Sequence, residues 1–287
     1  MEAGKLLTAQ GPDDPDGPVN QKDYQKLVGI LLYLTVWTRP NLVFATHQLA
    51  RWSHDPHTKH MQAAYRVLRY LKGTKHMGIT YTRGKPDANR LLGWADADWA
   101  ACTETRRSMS GYVSTLNGGA LSWKCRQQKS VATSTSEAEY VAASRASDDI
   151  LFLRRVLEEA GFQQNTPTPL YEDNRSCRMM SENPVSNDRS KHIDYRVHAL
   201  RERVRDGIVR LIDCASENML ADVFTKNLPA PSFMRHRAVM SGKAPHTAPS
   251  LPDDLTIPGP RTTPPRTKAL KSGLVWGAWS GFMYSRN

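Results

Sequence analysis

The chain has 287 residues, with 39 Lys plus Arg against 28 Asp plus Glu and a formal net charge of +11 at pH 7. Apolar residues at 39 % and charged residues at 23 % exclude wholesale disorder and a collagen-like repeat, and the length accommodates about one or two domains. The basic excess makes a polyanion the first partner to consider, nucleic acid ahead of an anionic membrane surface.

Residues 1–21 are rich in Gly, Pro and Asp (GPDDPDGPVN) and read as a disordered tail; their acids and lack of an apolar core argue against a secretory signal. The apolar runs 27–37 and 274–279 are shorter than the ~18–20 residues of a membrane span, so no membrane partner is expected. From Tyr24 onward, Leu27, Ile30, Leu31 and Leu34 recur at helical spacing until Arg39-Pro40 breaks the run. A second helix is predicted over 42–52. A third over 58–72 places Met61, Ala64, Tyr65, Leu68 and Leu71 on one side, Arg66, Arg69 and Lys72 on the others, and Gly73 at its end. Residues 22–77 thus read as a small basic helical unit.

Strand signals follow at 78–82, 91–95, 111–116 and 120–124. The last two flank Asn117-Gly118-Gly119, residues that accept the positive φ of a hairpin turn. A long helix is predicted over 136–160, with Ala138, Ala142, Ala146, Ile150, Leu153 and Leu157 as its buried face and Gly161 as its stop. Then come a strand at 168–172, a short helix ended by Asn183-Pro184, a helix over 194–206, a strand at 208–214 and a last helix over 216–228. This order, βββαβα(α)βα, predicts an α/β (α+β) domain over 78–230 in which helices flank a mixed sheet. Residues 241–287 are Pro- and Thr-rich and read as a second disordered tail, with a terminal GLVWGAWSGFMY too short for a core. Cys102, Cys125, Cys177 and Cys214 stand far apart without a CxxC pair; this argues against a zinc site or a disulfide framework and for a reducing cytoplasmic or nuclear setting.

Four carboxylates fall where elements end. Asp96 closes the strand LLGWAD, Glu139 lies in the first turns of the long helix, Asp173 ends the strand LYED, and Asp222 lies one turn into the last predicted helix. Such a cluster suits two Mg²⁺ ions bridging a phosphodiester, since Mg²⁺ is a hard cation that takes oxygen ligands. Each acid also has a structural alternative. Asp96 and Asp98 suit an edge-strand or cap position, Asp173-Asn174 suits a helix N-cap, and Asp222 suits a surface charge. Ser136 and Glu139 match a capping box, but so do Ser134 and Glu137, which would leave Glu139 free for the sheet.

The string WADADWA, RRSMSGYVSTLNGGALSWKCRQQKSVATSTSEAEYVAAS, YEDN, RSKHIDYRVHALRE and NMLADVFTKNL resembles the ribonuclease H domain of copia-type LTR retrotransposon polyproteins. The segment YQKLVGILLYLTVWTRPNL through HMQAAYRVLRYLKGT resembles the thumb and connection at the end of the same polyprotein's reverse transcriptase. The resemblance implies a mixed five-stranded ribonuclease H-like sheet, preceded by a helical remnant, in a C-terminal portion of such a polyprotein. It also implies Asp96, Glu139, Asp173 and Asp222 as metal-binding catalytic carboxylates, Mg²⁺ (or Mn²⁺) as cofactor and cleavage of the RNA strand of an RNA/DNA hybrid. In an intact element the setting would be a virus-like particle, and the further partners other parts of the polyprotein. TRPNL and RSKHID stand where the family has TRPDI and RTKHID, and no YxDD-type polymerase motif is present.

Recognition of a hybrid is led by phosphates and 2′-hydroxyls rather than base sequence. Candidate contacts are Arg106, Arg107, Lys124, Arg126, Lys129, Lys191 and His192, the last, in the KHID motif, in a helix-capping or phosphate-facing role rather than as a general base. The helical unit adds Arg51, Lys59, Arg66, Arg69, Lys72 and Lys75. Ser134, Ser136, Asn174 and Asn218 are candidates for supporting hydrogen bonds. The alternative to an active ribonuclease is a catalytically silent, transposon-derived nucleic-acid-binding protein. A weaker third option is a protein-interaction remnant built on the helical unit.

Overall fold

The computed structural model describes residues 17, 19–83, 89–102, 104–182 and 194–247, with only the backbone of 194–197. Contacts divide the chain into a unit over Met1–Leu255 and another over Thr256–Asn287, and every described residue belongs to the first. The predicted tails over 1–21 and 241–287, and the Asn183-Pro184 break, lie wholly or largely outside the described residues.

Helix α1, Gln21–Trp37, starts where Asn20 Oδ1 accepts from the backbone N–H of Lys22 and Asp23. It packs with α2, Val43–Ala50, and α3, Thr58–Gly73, around Tyr24, Val28, Leu31, Leu49 and Ala64. The buried face of α1 runs through Tyr24, Val28, Leu31 and Thr35. Of the four predicted face residues only Leu31 is fully buried; Ile30 is exposed, with Tyr33, Val36 and Trp37 beside it. A helix apolar on most of its circumference does not reveal from spacing alone which stripe turns inward. In α3, Tyr65 is likewise exposed, and the buried polar member is His60, stacked on Trp52 with ring centroids 4.8 Å apart.

The sheet has the order β3-β2-β1-β4-β5. β1, Leu91–Asp98, β2, Met109–Leu116, and β3, Gly119–Gln127, are antiparallel; β4, Thr168–Glu172, joins β1 in parallel, and β5, Val209–Asp213, joins β4 in parallel. This is the predicted mixed five-stranded sheet. The β2–β3 turn is Asn117-Gly118, both at positive φ (51° and 86°), as the sequence predicts. Helix α4, Thr135–Glu159, covers one face, burying Ala142, Ala146 and Ile150 against Leu91, Ala95, Leu170 and Leu211. Helices α5, Arg175–Glu182, and α6, Asp194–Arg205, complete that layer. The other face buries Trp94, Val113 and Tyr171 against Phe44 of α2 and against Met219, Phe224 and Met240 of the C-terminal segment.

Two expectations are corrected. The segment 78–82 is not a strand: it runs beside the hairpin end, with Thr80 N donating to Ser241 O and Thr82 N to Asn117 O. Residues 216–228 do not form one helix. They make two 3₁₀ turns, Ser216–Asn218 and Leu220–Phe224, and the helix α7 comes later, at Ala230–Met240. The turns lie almost on the sheet because Gly111 leaves room. A Cβ there would stand 2.6 Å from Phe224 Cβ and 2.8 Å from Thr225 Cγ2, closer than packed atoms approach.

Candidate active site

The neighbouring parallel strands β1 and β4 end at the same edge of the sheet, and α4 begins there after the chain leaves β3. Three acids meet at that edge. Asp96 of β1, Glu139 of α4 and Asp173, which follows β4, each place one carboxylate oxygen within 4.8 Å of the others. Asp96 is fully buried, Glu139 is 7 % exposed and Asp173 is half-buried.

Local capping decides which acids are free to face the edge. Ser134 is the N-cap of α4 and its Oγ accepts from Glu137 N at 3.2 Å. Glu137 turns back to accept from Thr133 N (2.7 Å) and Thr133 Oγ1 (2.6 Å), so Glu139 has no capping duty. Ser136 lies half-buried in the same turn. At β4 the cap of α5 is Asn174, whose Oδ1 accepts from Cys177 N at 2.9 Å; Asp173 Oδ2 instead accepts from Ser216 Oγ at 2.8 Å.

Asp222 reaches the cluster through a cation. Lys226 Nζ donates to Asp222 Oδ1 at 2.9 Å and to Asp96 Oδ1 at 3.1 Å, while Thr225 Oγ1 donates to Asp96 Oδ2. Asp222 sits in a 3₁₀ turn rather than one turn into a helix, and the close approach over Gly111 brings Thr225 and Lys226 to Asp96, which pairs with Gly111 across β1 and β2.

The acids strain against their surroundings. Burial, then the charges of Glu172, Asp96 and Asp173, hold the Glu139 carboxyl far above the usual carboxylate range. Burial and Asp96 push Asp222 up to about 7 against the opposing pull of Lys226. Burial works to lower the Lys226 pKa, yet the attraction of Asp96 and Asp222 prevails and raises it. Asp98 is raised by burial, with Lys226 opposing.

Among the described residues, Glu139 Oε2 is buried without a hydrogen-bond partner, and so is Oε2 of the fully buried Glu172, whose Oε1 accepts from Asn174 N. An orphaned carboxylate oxygen in a ring of oxygen donors is the environment a hard divalent cation satisfies. The residues present therefore fit Mg²⁺ or Mn²⁺.

The predicted basic contacts divide. Arg106 and Arg107 are exposed in the β1–β2 loop and Lys129 is exposed just past β3, all at the edge that carries the acids. Trp99 Nε1 donates to Ala132 O and ties that loop to the approach of α4. Lys124 and Arg126 are exposed on β3; burial and then Arg126 and Arg145 lower the Lys124 pKa, with Asp149 opposing. Lys191 and His192 lie outside the described residues. Asn218 is engaged elsewhere: its Oδ1 accepts from Thr247 Oγ1, and it lines a separate cavity of about 240 Å³ with Trp94 and His246. Sequence reasoning missed Ser216, Thr225, Lys226 and Glu172. The signal for two of them is the motif LADVFTK, in which a hydroxyl and an ammonium stand three and four residues after Asp222.

Beside the cluster, a groove of about 520 Å³ runs between the helical unit and α7, lined by Phe44, Arg66, Tyr70, Phe233, Arg237 and by Lys226 itself.

No family model matches the chain. It is 36 % identical over 217 residues to the retrovirus-related Pol polyprotein from transposon TNT 1-94 of Nicotiana tabacum, covering 76 % of this chain and 16 % of that protein. It is 35 % identical over 229 residues to the corresponding polyprotein from transposon RE2 of Arabidopsis thaliana, covering 80 % and 15 %. A shorter relative, secreted RxLR effector protein 161 of Plasmopara viticola, is 45 % identical over 130 residues, 45 % of this chain and 90 % of that one. Among solved structures, LC11-RNase H1 aligns with 48 % of this chain and 93 % of its own at 17 % identity and a TM-score of 0.37. The chain thus spans about one sixth of the transposon polyproteins it matches.

Proposed function

Because the chain belongs to the retrovirus-related Pol polyproteins of transposons, we propose that its ribonuclease H-like domain hydrolyses the RNA strand of RNA/DNA hybrids. The observation that carries this reading is the convergence of Asp96, Glu139 and Asp173 around a buried carboxylate oxygen that has no partner among the described residues. Asp96, Glu139, Asp173 and Asp222 would hold Mg²⁺, with Mn²⁺ as a substitute; two such ions supply an activated water and stabilise the leaving oxygen.

The chain's own groups do the rest. Asp96 is common to both sets of acids, and Thr225 fixes its orientation by a hydrogen bond to Oδ2. Ser216 fixes Asp173 in the same way. Arg106, Arg107 and Lys129 hold phosphates at the edge that carries the acids, and Lys124 and Arg126 extend the contact along β3. Binding led by phosphates weakens steeply with salt. The remaining parts of the polyprotein are further partners, a role for which the exposed Ile30, Tyr33 and Val36 of α1 are suited.

The test is cleavage of a hybrid with a labelled RNA strand by the full chain in Mg²⁺, comparing wild type with D96N and D173N. RNA cleavage by wild type and its loss in both variants is expected. A well-folded wild type that yields no Mg²⁺-dependent product overturns the reading, and hybrid binding that persists in that case points to a silent binder.

A further inference from the structure

We propose that Lys226 is a resident cation of the carboxylate site, filling the space between Asp96 and Asp222 in the metal-free protein and yielding it when a second divalent cation binds. The inference rests on the reading above, that these acids hold metal. It starts from an asymmetry between the two halves of the cluster. Asp96, Glu139 and Asp173 enclose a position with no protein cation in it among the described residues, and one of its oxygens, Glu139 Oε2, is buried without a partner among them. Between Asp96 and Asp222 the position is filled: the ammonium lies 3.1 Å from Asp96 Oδ1 and 2.9 Å from Asp222 Oδ1.

Two carboxylates separated by one ammonium have the charge balance that two carboxylates and a divalent cation improve upon. The first position therefore takes a cation without displacing anything, whereas the second takes one only after Lys226 has moved. Movement is open to it. The side chain is 38 % exposed, its stem is flexible, and it also lines the groove shared with Arg66 and Arg237, so the ammonium leaves by rotation while keeping its charge. Lys226 is accordingly a positioning residue for the second cation, and it sets how much metal is needed to fill the site.

The experiment is calorimetric titration of the full chain with Mn²⁺ alone, alongside thermal melting with and without Mn²⁺, for wild type, K226M, K226Q and K226R. Wild type is expected to bind in two steps of unequal affinity. K226M and K226Q are expected to tighten the weaker step about tenfold, with the tighter step little changed. Their metal-free melting temperature falls, because Asp96 and Asp222 lose the charge between them, and Mn²⁺ raises it by more than in wild type. K226R, which keeps the charge, leaves the weaker step weak. A weaker step that is unchanged or weakened in both K226M and K226Q overturns the inference while leaving the metal site standing. Absence of Mn²⁺ binding in every variant overturns the parent reading and this one together.

Discussion

Helix α4 carries two acids that face the sheet, and they have opposite fates. Asp149, midway along the helix, accepts from Ser122 Oγ at 2.9 Å and Ser114 Oγ at 3.3 Å, with Lys124 close enough to favour its charge. Its carboxyl is raised by burial, and those hydroxyls pull it back. Glu139, in the second turn, is also raised by burial, but its other neighbours are Glu172, Asp96 and Asp173, which push the same way, and among the described residues its Oε2 has no partner. Burial is common to both acids and so does not mark function. What separates them is whether the fold satisfies the charge or leaves it for something bound.

Substitution breaks the comparison most directly at Glu139. E139Q keeps the size of the side chain and removes its charge, so hybrid cleavage should fall by about 10³-fold, the scale seen when a group that stabilises the reacting atoms is lost. The metal-free protein should melt no lower than wild type, since burial and the neighbouring acids already keep the Glu139 carboxyl protonated there. Cleavage at the wild-type rate would remove Glu139 from the site. D149A should do the reverse. It leaves Ser114 and Ser122 without their acceptor and should cost about 2 kcal/mol in denaturant unfolding, with cleavage per folded molecule unchanged.

The same contrast has a pH signature. Asp222 has a folded pKa of about 7, above its ordinary 3.8, so the folded state binds its proton more tightly than the unfolded state does. Its contribution is fully present below about pH 4 and is lost as pH rises through about 7. His47 and His236, both lowered to about 4 by burial, act the other way, since their contribution is lost as pH falls from about 6.5 to 4. The difference between wild type and D222N isolates the acid. Metal-free wild type should lose about 2–3 kcal/mol relative to D222N between pH 5 and 8, and saturating Mg²⁺ should abolish the loss. A flat difference would mean that Lys226 alone satisfies Asp222.

Much of this was legible in the sequence, for reasons that differ by region. The β2–β3 hairpin is written in Asn117-Gly118 because few residues tolerate its backbone, and α4 is long enough for its 3.6-residue period to be read unambiguously. Asp96, Glu139 and Asp173 could be singled out because each sits at the end of an element. Harder to read were features set by the rest of the fold. Residues 216–228 have helical spacing and no Pro before Pro229, yet they flatten into 3₁₀ turns where the space over Gly111 admits them. Helix α7 opens on Pro229-Ala230-Pro231, which reads as linker. Lys226 looks like any surface lysine until the sheet brings Asp96, 130 positions away, to its ammonium.

The smallest effect tests whether the freedom of Glu139 comes from its neighbours. Ser134 caps α4 and Glu137 reaches back to Thr133, so the turn carrying Glu139 is held from outside the site. S134A removes one of the few acceptors available to the unpaired N–H groups of the first turn and should cost about 1 kcal/mol of stability. If the cap also fixes the direction of Glu139, the same variant should weaken Mn²⁺ binding by a few-fold at the position formed with Asp96 and Asp173. S134D, which can still accept from Glu137 N and places a negative charge at the helix N-terminus, should restore stability and binding together. Restored stability without restored binding would show that Glu139 is aimed by its packing against the sheet, with the cap supporting only the helix.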